Sequence, residues 1–328
     1  MNITTGKIAG LTAVSDDRGV IAAVAMDQRS SLKKALGGNV TDRQLVEFKT
    51  TVTEILTPHT SAILLDPEWG IESSIRRAKN AGLLLAYEKS GYDHNHPGRV
   101  LELLPHFSVR RLKSAGADCC KVLLYYSPAE DSAINDEKYA VIERVGDECR
   151  ANDVPFFLEL VGYDPAGSDG KGPKYAKQKP SIVAKTIAEF TRDRYSVDVL
   201  KVEVPVNLRF VGGTRCFSGH KIYSRKEAMS HFWSVAAHTT KPFIYLSGGV
   251  SMAEFTEALE LAAEAGMKFN GVLCGRATWK DGVAVYAKGG VAALRAWLQD
   301  EGLKNLAKVN ACMKWASPWS TIYHVDAA

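Results

Sequence analysis

Eight short runs dominated by valine, isoleucine and leucine, separated by amphipathic stretches, restrict the fold of this chain more than any other feature. They are residues 19–26 (GVIAAVAM), 61–66 (SAILLD), 82–88 (GLLLAYE), 118–126 (DCCKVLLYY), 154–161 (VPFFLELV), 197–204 (VDVLKVEV), 242–247 (PFIYLS) and 269–275 (FNGVLCG). A half-exposed strand alternates polar with apolar residues, whereas near-continuous apolar runs fit parallel strands buried on both faces. Eight parallel strands with helical crossovers close into a (β/α)8 TIM barrel, an α/β architecture. At 328 residues the chain fits one such domain, spanning 1–328.

The intervening segments carry helix signals. Leu45, Phe48, Val52, Ile55 and Leu56 follow the helical period. Thr41 with Gln44, Ser224 with Glu227, and Ser251 with Glu254 fit capping boxes, in which a hydroxyl and the side chain three residues on satisfy orphan amides. Two stretches read as loops beside the site: 164–180, rich in Gly, Pro and Lys, and the polar connection 212–223.

Hydrophobic residues make up 46% of the chain and charged ones 24%, enough to bury a core without disulfides. The net charge of +4 is scattered, with no basic run of the kind that marks a nucleic-acid arm, so an anionic small molecule is the expected partner. Six cysteines without CxxC spacing read as reduced, mostly buried thiols. No secretory leader or membrane span is legible, which points to the cytoplasm. A homo-oligomer is compatible with such a barrel, though no interface stripe can be read.

Charges interrupt four of the apolar runs. Lys121 breaks CCKVLLYY, Glu159 breaks PFFLELV, Lys201 and Glu203 break VLKVEV, and Asp27 follows VAM. An unpaired charge inside a barrel costs several kcal/mol or more, so these residues need partners. Lys201 and Glu203 share a face of their strand because side chains alternate. Two lysines and two or three carboxylates in one cavity are the equipment for carbon–carbon cleavage through an imine. Lys201 is the candidate nucleophile, and Lys121 the neighbouring cation that favours its neutral form. Glu159 is the candidate acid and base at the imine-forming step, and Asp27 the acceptor of the hydroxyl proton. A single such charge is more often a rim residue or an ion-pair partner; Glu203 stands as a structural partner of Lys121 or Lys201 as readily as a functional group. Cys119 and Cys120 read as packing residues.

Glycines follow the last two strands, in LSGGVS (246–251) and LCGRATW (273–279). Loops at these positions of a barrel commonly hold a phosphate, because glycine lets the backbone approach an anion closely. Ser247, Gly248, Gly249, Gly275 and Arg276 form the expected phosphate group.

VAMDQR (24–29), LLDPEWG (64–70), KVLLYY (121–126), PFFLELVGYD (155–164), DVLKVEVPVN (198–207), FIYLSGGV (243–250) and GVLCGRATW (271–279) resemble, in order and over nearly the whole chain, the tagatose 1,6-diphosphate aldolase family. That resemblance implies a class I aldolase that forms a Schiff base, needs no metal or other cofactor, and splits tagatose 1,6-bisphosphate into dihydroxyacetone phosphate and glyceraldehyde 3-phosphate. By the same resemblance Lys201 matches the Schiff-base lysine, Glu159 the catalytic glutamate, and Lys121 and Asp27 the active-site lysine and aspartate. Ser247, Gly248, Gly249 and Arg276 match its phosphate loops, and Gln28 and Arg29 of VAMDQR join the expected substrate-binding set.

The family is loose in stereochemistry, and a similar branch acts on sulfonated sugar phosphates, so the sugar and its second anion stay open. The loops 90–99, with His94 and His96, and 167–179, basic and glycine-rich, depart from the expected pattern. His94-Asn95-His96 superficially resembles a metal-ligand pair, but it lies in a polar loop beyond a strand, and a metal would make the buried lysines redundant. A catalytically silent regulatory protein on the same fold is a further alternative; three costly charges inside the barrel argue against it.

Overall fold

The computed structural model describes residues 3–37, 39–92 and 96–323. All eight apolar runs become strands: β1 Ile21–Ala25, β2 Ala62–Leu65, β3 Gly82–Ala86, β4 Cys119–Tyr126, β5 Phe156–Gly162, β6 Val199–Glu203, β7 Phe243–Leu246 and β8 Gly271–Cys274. Neighbours pair in parallel around a closed ring in which β8 returns to β1.

Strand alternation divides the core into two layers. One set of side chains, including Val24, Ile63, Leu65, Leu85, Val122, Leu158, Leu200 and Tyr245, packs outward against the helices. The other set, Ile21, Ala23, Ala25, Leu64, Leu84, Ala86, Cys119, Phe157, Val199, Ile244 and Leu273, fills the interior. Leu11 and Val14 from the amino-terminal segment, with Trp319 and Tyr323 from the carboxyl-terminal one, join the inner set and close the barrel from below. Tyr323 Oη donates to the carbonyl of Asp198, just before β6. Beneath the same end, Lys7 meets the Asp198 carboxylate at 2.8 Å. With that end closed, the barrel interior opens at the carboxyl ends of the strands.

The three capping boxes form as the sequence indicates, at the helices Asp42–Leu56, Arg225–Ala236 and Met252–Glu264, with both reciprocal hydrogen bonds present in each. The six cysteines are unbonded to one another. Among the described residues no helix is long and apolar enough to cross a membrane.

The expected loop 164–180 is shorter than its composition suggests, because a helix, Pro173–Phe190, begins inside it. Pro173 sits in the first turn, where a missing N–H costs nothing, and Tyr175, Ala176, Ile182, Val183 and Ile187 bury one face. That buried face outweighs Pro180 in the helix interior, where proline removes one backbone hydrogen bond. The connection 212–223 is irregular apart from its ends, where Val211–Gly212 pairs with Tyr223–Ser224.

Candidate active site

Inner positions read up β4 as Cys119, Lys121, Leu123 and Tyr125, up β5 as Phe157, Glu159 and Val161, and up β6 as Val199, Lys201 and Glu203. The lowest of these, Cys119, Phe157 and Val199, belong to the apolar interior. The charged layer therefore lies one step above it, and register places Glu159 directly opposite Lys201. The small side chains of Ala25 and Ala86 leave space above, and a cavity of about 350 Å³ opens there, lined by Asp27, Glu159, Lys201, Tyr125, Ser247 and Arg276 among others. That volume suits a small ligand.

Lys121 and Lys201 share one oxygen. Glu159 Oε2 lies 2.8 Å from Lys201 Nζ and 2.8 Å from Lys121 Nζ. Lys121, fully buried, also donates to Asp27 Oδ2 and Glu88 Oε1, each at 2.7 Å. Burial alone would lower the Lys121 amine, but Asp27, Glu159 and Glu88 outweigh it and hold the ammonium well above its ordinary range. Burial likewise raises the Asp27 and Glu159 carboxyls, and the two lysines outweigh it, holding both below the ordinary carboxylate range.

These two depressed carboxyls set a sign for acid stability. As pH falls, the unfolded chain takes up their protons first, near the ordinary values of 3.8 and 4.5, while the folded chain resists. Their stabilisation is complete above that range and is lost as pH drops below about 4.5. Melting temperatures measured from pH 6 to pH 3 are expected to decline below that point; a flat profile would contradict the assigned charges.

Glu88 was not among the candidates drawn from the sequence. It follows β3 at the position where alternation turns a side chain inward, after Gly82, Leu84 and Ala86, and that alternation was the available signal. A second residue missed was Lys49, which looks like an ordinary charge on an amphipathic helix. It is fully buried, pairs with Asp66 at 2.6 Å and donates to the carbonyls of Met26 and Gln28 at 2.6 and 2.9 Å. It thereby fixes the backbone on both sides of Asp27. Glu203 does face the cavity, yet its partners differ from those expected: Lys179 at 3.1 Å and the Gly162 amide at 2.8 Å. The distance along the strand from Lys201 to Glu203 leaves Glu203 at the rim, within reach of the helix that carries Lys179.

Ser247, Gly248, Gly249, Gly275 and Arg276 line one wall of the cavity together, with Gln28, whose amide nitrogen donates to Asp27 Oδ1 at 3.1 Å. Gly248 and Gly249 have φ of +57° and +77°, and a Cβ at Gly249 would stand 2.9 Å from the Arg276 guanidinium carbon. The positive φ favours glycine at both positions, and at Gly249 its small size also lets the Arg276 guanidinium lie against the backbone. Arg276 is exposed. Arg29, also expected to bind substrate, lines the same cavity. It is buried in the cavity wall, with one guanidinium nitrogen 2.6 Å from Glu68 and another 2.5 Å from the Glu88 carbonyl. Two acceptors far apart in sequence converge on its terminal nitrogens, while its buried Nε has no partner among the described residues. His94 lies outside the described residues. His96 is exposed, with its ring nitrogens near Pro97 O and, at 4.0 Å, Glu137.

A sequence profile described as DeoC/LacD family aldolase matches residues 21–281, a span containing all eight strands. A tagatose 1,6-diphosphate aldolase 1 from Enterococcus faecalis is 50% identical over 314 residues, covering 95% of this chain and 96% of the relative. A tagatose 1,6-diphosphate aldolase from Listeria monocytogenes is 45% identical over 327 residues, covering 98% and 96%. Among solved structures, a fructose-bisphosphate aldolase from Plasmodium falciparum superposes with TM-score 0.67 at 14% identity over 97% of each chain. A Schiff base forming fructose-1,6-bisphosphate aldolase superposes with TM-score 0.53 at 14% identity, over 88% of this chain and 96% of the other. At such identity the structural likeness speaks for the barrel alone. The profile match along the whole ring of strands, and relatives about half identical over almost their full length, make this chain a member of the DeoC/LacD family of aldolases.

Proposed function

We propose that this chain cleaves a ketohexose bisphosphate of the tagatose 1,6-bisphosphate type into dihydroxyacetone phosphate and glyceraldehyde 3-phosphate, through an imine on Lys201 and without a metal. The names of its relatives support the substrate class, and the observation that carries the chemistry is the single Glu159 oxygen held 2.8 Å from both Lys201 and Lys121 beneath the cavity.

An amine adds to a ketone only when neutral. Glu159, 2.8 Å away, accepts the proton that Lys201 gives up, while Lys121 holds that carboxylate in place from its other side. Addition to the ketone carbon yields a carbinolamine. Glu159 returns its proton to the departing hydroxyl, and water leaves as the iminium forms. The iminium then takes the electron pair of the C3–C4 bond while Asp27 accepts the C4 hydroxyl proton and the aldehyde departs. Protonation of the resulting enamine and hydrolysis of the imine release the ketone and restore Lys201. Arg276 and the Ser247–Gly249 turn hold the phosphate on the ketone side.

Glu159→Gln is isosteric and keeps a hydrogen-bonding group between the lysines, but it cannot carry the proton. Its kcat is expected to fall about 10²- to 10⁴-fold, with slowed imine formation in single-turnover kinetics. Ordinary turnover in this variant would remove the assigned role. Screening the protein against ketohexose bisphosphates and sulfonated sugar phosphates, with triose release as the readout, tests the substrate class; release only from a sulfonated sugar would overturn the bisphosphate assignment.

A further inference from the structure

We propose that Arg99 is the ligand of the substrate's second anion, the phosphate carried on the aldehyde side of the scissile bond, and therefore the residue that selects doubly charged substrates. This rests on the aldolase reading above and adds to it a site for the far end of the sugar.

The Arg99 guanidinium carbon lies 4.5 Å from the ring centre of Tyr163, 5.2 Å from that of Tyr92 and 5.6 Å from that of Tyr125. Each distance is within the range of a cation–π contact. Tyr125 is the uppermost inner residue of β4 and lines the cavity, as do Ser90 and Gly91 at the start of the loop that carries Arg99. Stacking fixes the plane of a guanidinium while leaving its N–H edge unused, the geometry in which arginine meets a phosphate with two parallel hydrogen bonds.

Lys138, over the same Tyr163 ring, donates to the Tyr163 hydroxyl, and other cations are paired with carboxylates. Lys179 is paired with Glu203, Lys89 with Glu102, and Arg29 with Glu68. Among the described residues, no carboxylate lies within 4.0 Å of Arg99. The same corner holds the Tyr175 hydroxyl, which is buried without a hydrogen-bond partner and close enough to respond to the charges of Glu203 and Arg99.

The backbone is committed to this placement. Arg99 has φ +54°, a conformation that costs a non-glycine residue energy and persists where the surroundings impose it. The preceding Gly98 has φ +79°, and a Cβ there would meet Ile134 Cγ2 at 2.3 Å. The Gly98 carbonyl is held by Tyr163 Oη at 2.7 Å, so the ring under Arg99 also anchors the turn that presents it.

Position around the ring completes the argument. Arg276 follows β8, whereas Arg99 packs on Tyr125 of β4, and these strands are four places apart in a ring of eight. Arg276 thus lines the cavity on the β8 side, and Arg99 packs on the lining residue Tyr125 on the opposite side, with Lys201 of β6 between them along the ring. A ketose bound by its second carbon to Lys201, with its near phosphate at Arg276, extends its other phosphate away from β8.

The test uses aldol addition of dihydroxyacetone phosphate to two acceptors, glyceraldehyde 3-phosphate and unphosphorylated glyceraldehyde. For Arg99→Met the ratio of kcat/KM between the acceptors is expected to fall about 10- to 100-fold, mainly through KM for the phosphorylated one, as befits loss of a charged hydrogen bond. Arg99→Lys is expected to recover part of the ratio. Borohydride trapping of dihydroxyacetone phosphate on Lys201 does not involve the far phosphate and should match the wild type, which also shows that the variants are folded. An unchanged ratio, or equal slowing with both acceptors while trapping persists, overturns the assignment of Arg99. Absence of trapping in the wild type overturns the aldolase reading instead.

Discussion

Replacing Lys201 with alanine is expected to reduce turnover by on the order of 10⁵-fold or more while leaving the barrel folded, because no other group can supply the covalent electron sink. The fold survives because the cluster is redundant at this point. Glu159 loses one of two lysines and keeps Lys121 at 2.8 Å, so no carboxylate is left without a cation. The cost in stability is therefore expected to stay within about 2 kcal/mol, that of a truncated buried side chain away from an orphaned charge. Steady-state cleavage together with a thermal melt checks both halves. Retained turnover would remove Lys201 from the mechanism, and an unfolded variant would show that its ion pair carries the barrel.

The neighbouring lysine should behave in the opposite way. Lys121→Met is expected to destabilise the protein by about 3–5 kcal/mol, because three carboxylates converge on this one amine: Asp27 loses its ion-pair partner, Glu88 keeps only an Arg29 nitrogen at 4.0 Å, and Lys201 remains for Glu159 alone. For a chain of this size that corresponds to a fall in melting temperature on the order of 5–10 °C. A second substitution, Glu88→Gln, should recover part of the loss by removing one of the stranded charges, so the double variant should be more stable than Lys121→Met alone. A melting temperature unchanged in Lys121→Met would contradict the network. Its activity should also fall sharply, since the cation that positions Asp27 and Glu159 is gone.

The two lysines illustrate which parts of the molecule could be read from the sequence. Lys121, Glu159 and Lys201 announce themselves because each interrupts a run of apolar residues, and such an interruption is costly unless the site needs it. The strands are legible for the same reason: burial on both faces leaves long apolar runs. The capping boxes at Thr41, Ser224 and Ser251 are legible because both partners lie within four residues. What escaped depends on contacts between distant segments. Glu88 ends a strand and reads like any rim carboxylate until Lys121, 33 residues on, is seen to donate to it.

Lys49 sits on a helix whose sequence gives no sign that its amine reaches the backbone just beyond the carboxyl end of β1. Arg29, following a strand, has the local signature of an anion ligand; its contacts with Glu68 and the Glu88 carbonyl, far along the chain, could not be read there. The helix that starts at Pro173 was hidden by composition, since glycine, proline and lysine suggested a loop while a buried face was available to order it. In each case a local rule was outweighed by a tertiary contact.

The central claim concerns one amine. Incubating the protein with dihydroxyacetone phosphate, reducing with borohydride and mapping the adduct by peptide mass spectrometry should place one stable modification on Lys201, absent when either reagent is omitted. A modification on Lys121 or any other lysine, or none at all, would contradict the account.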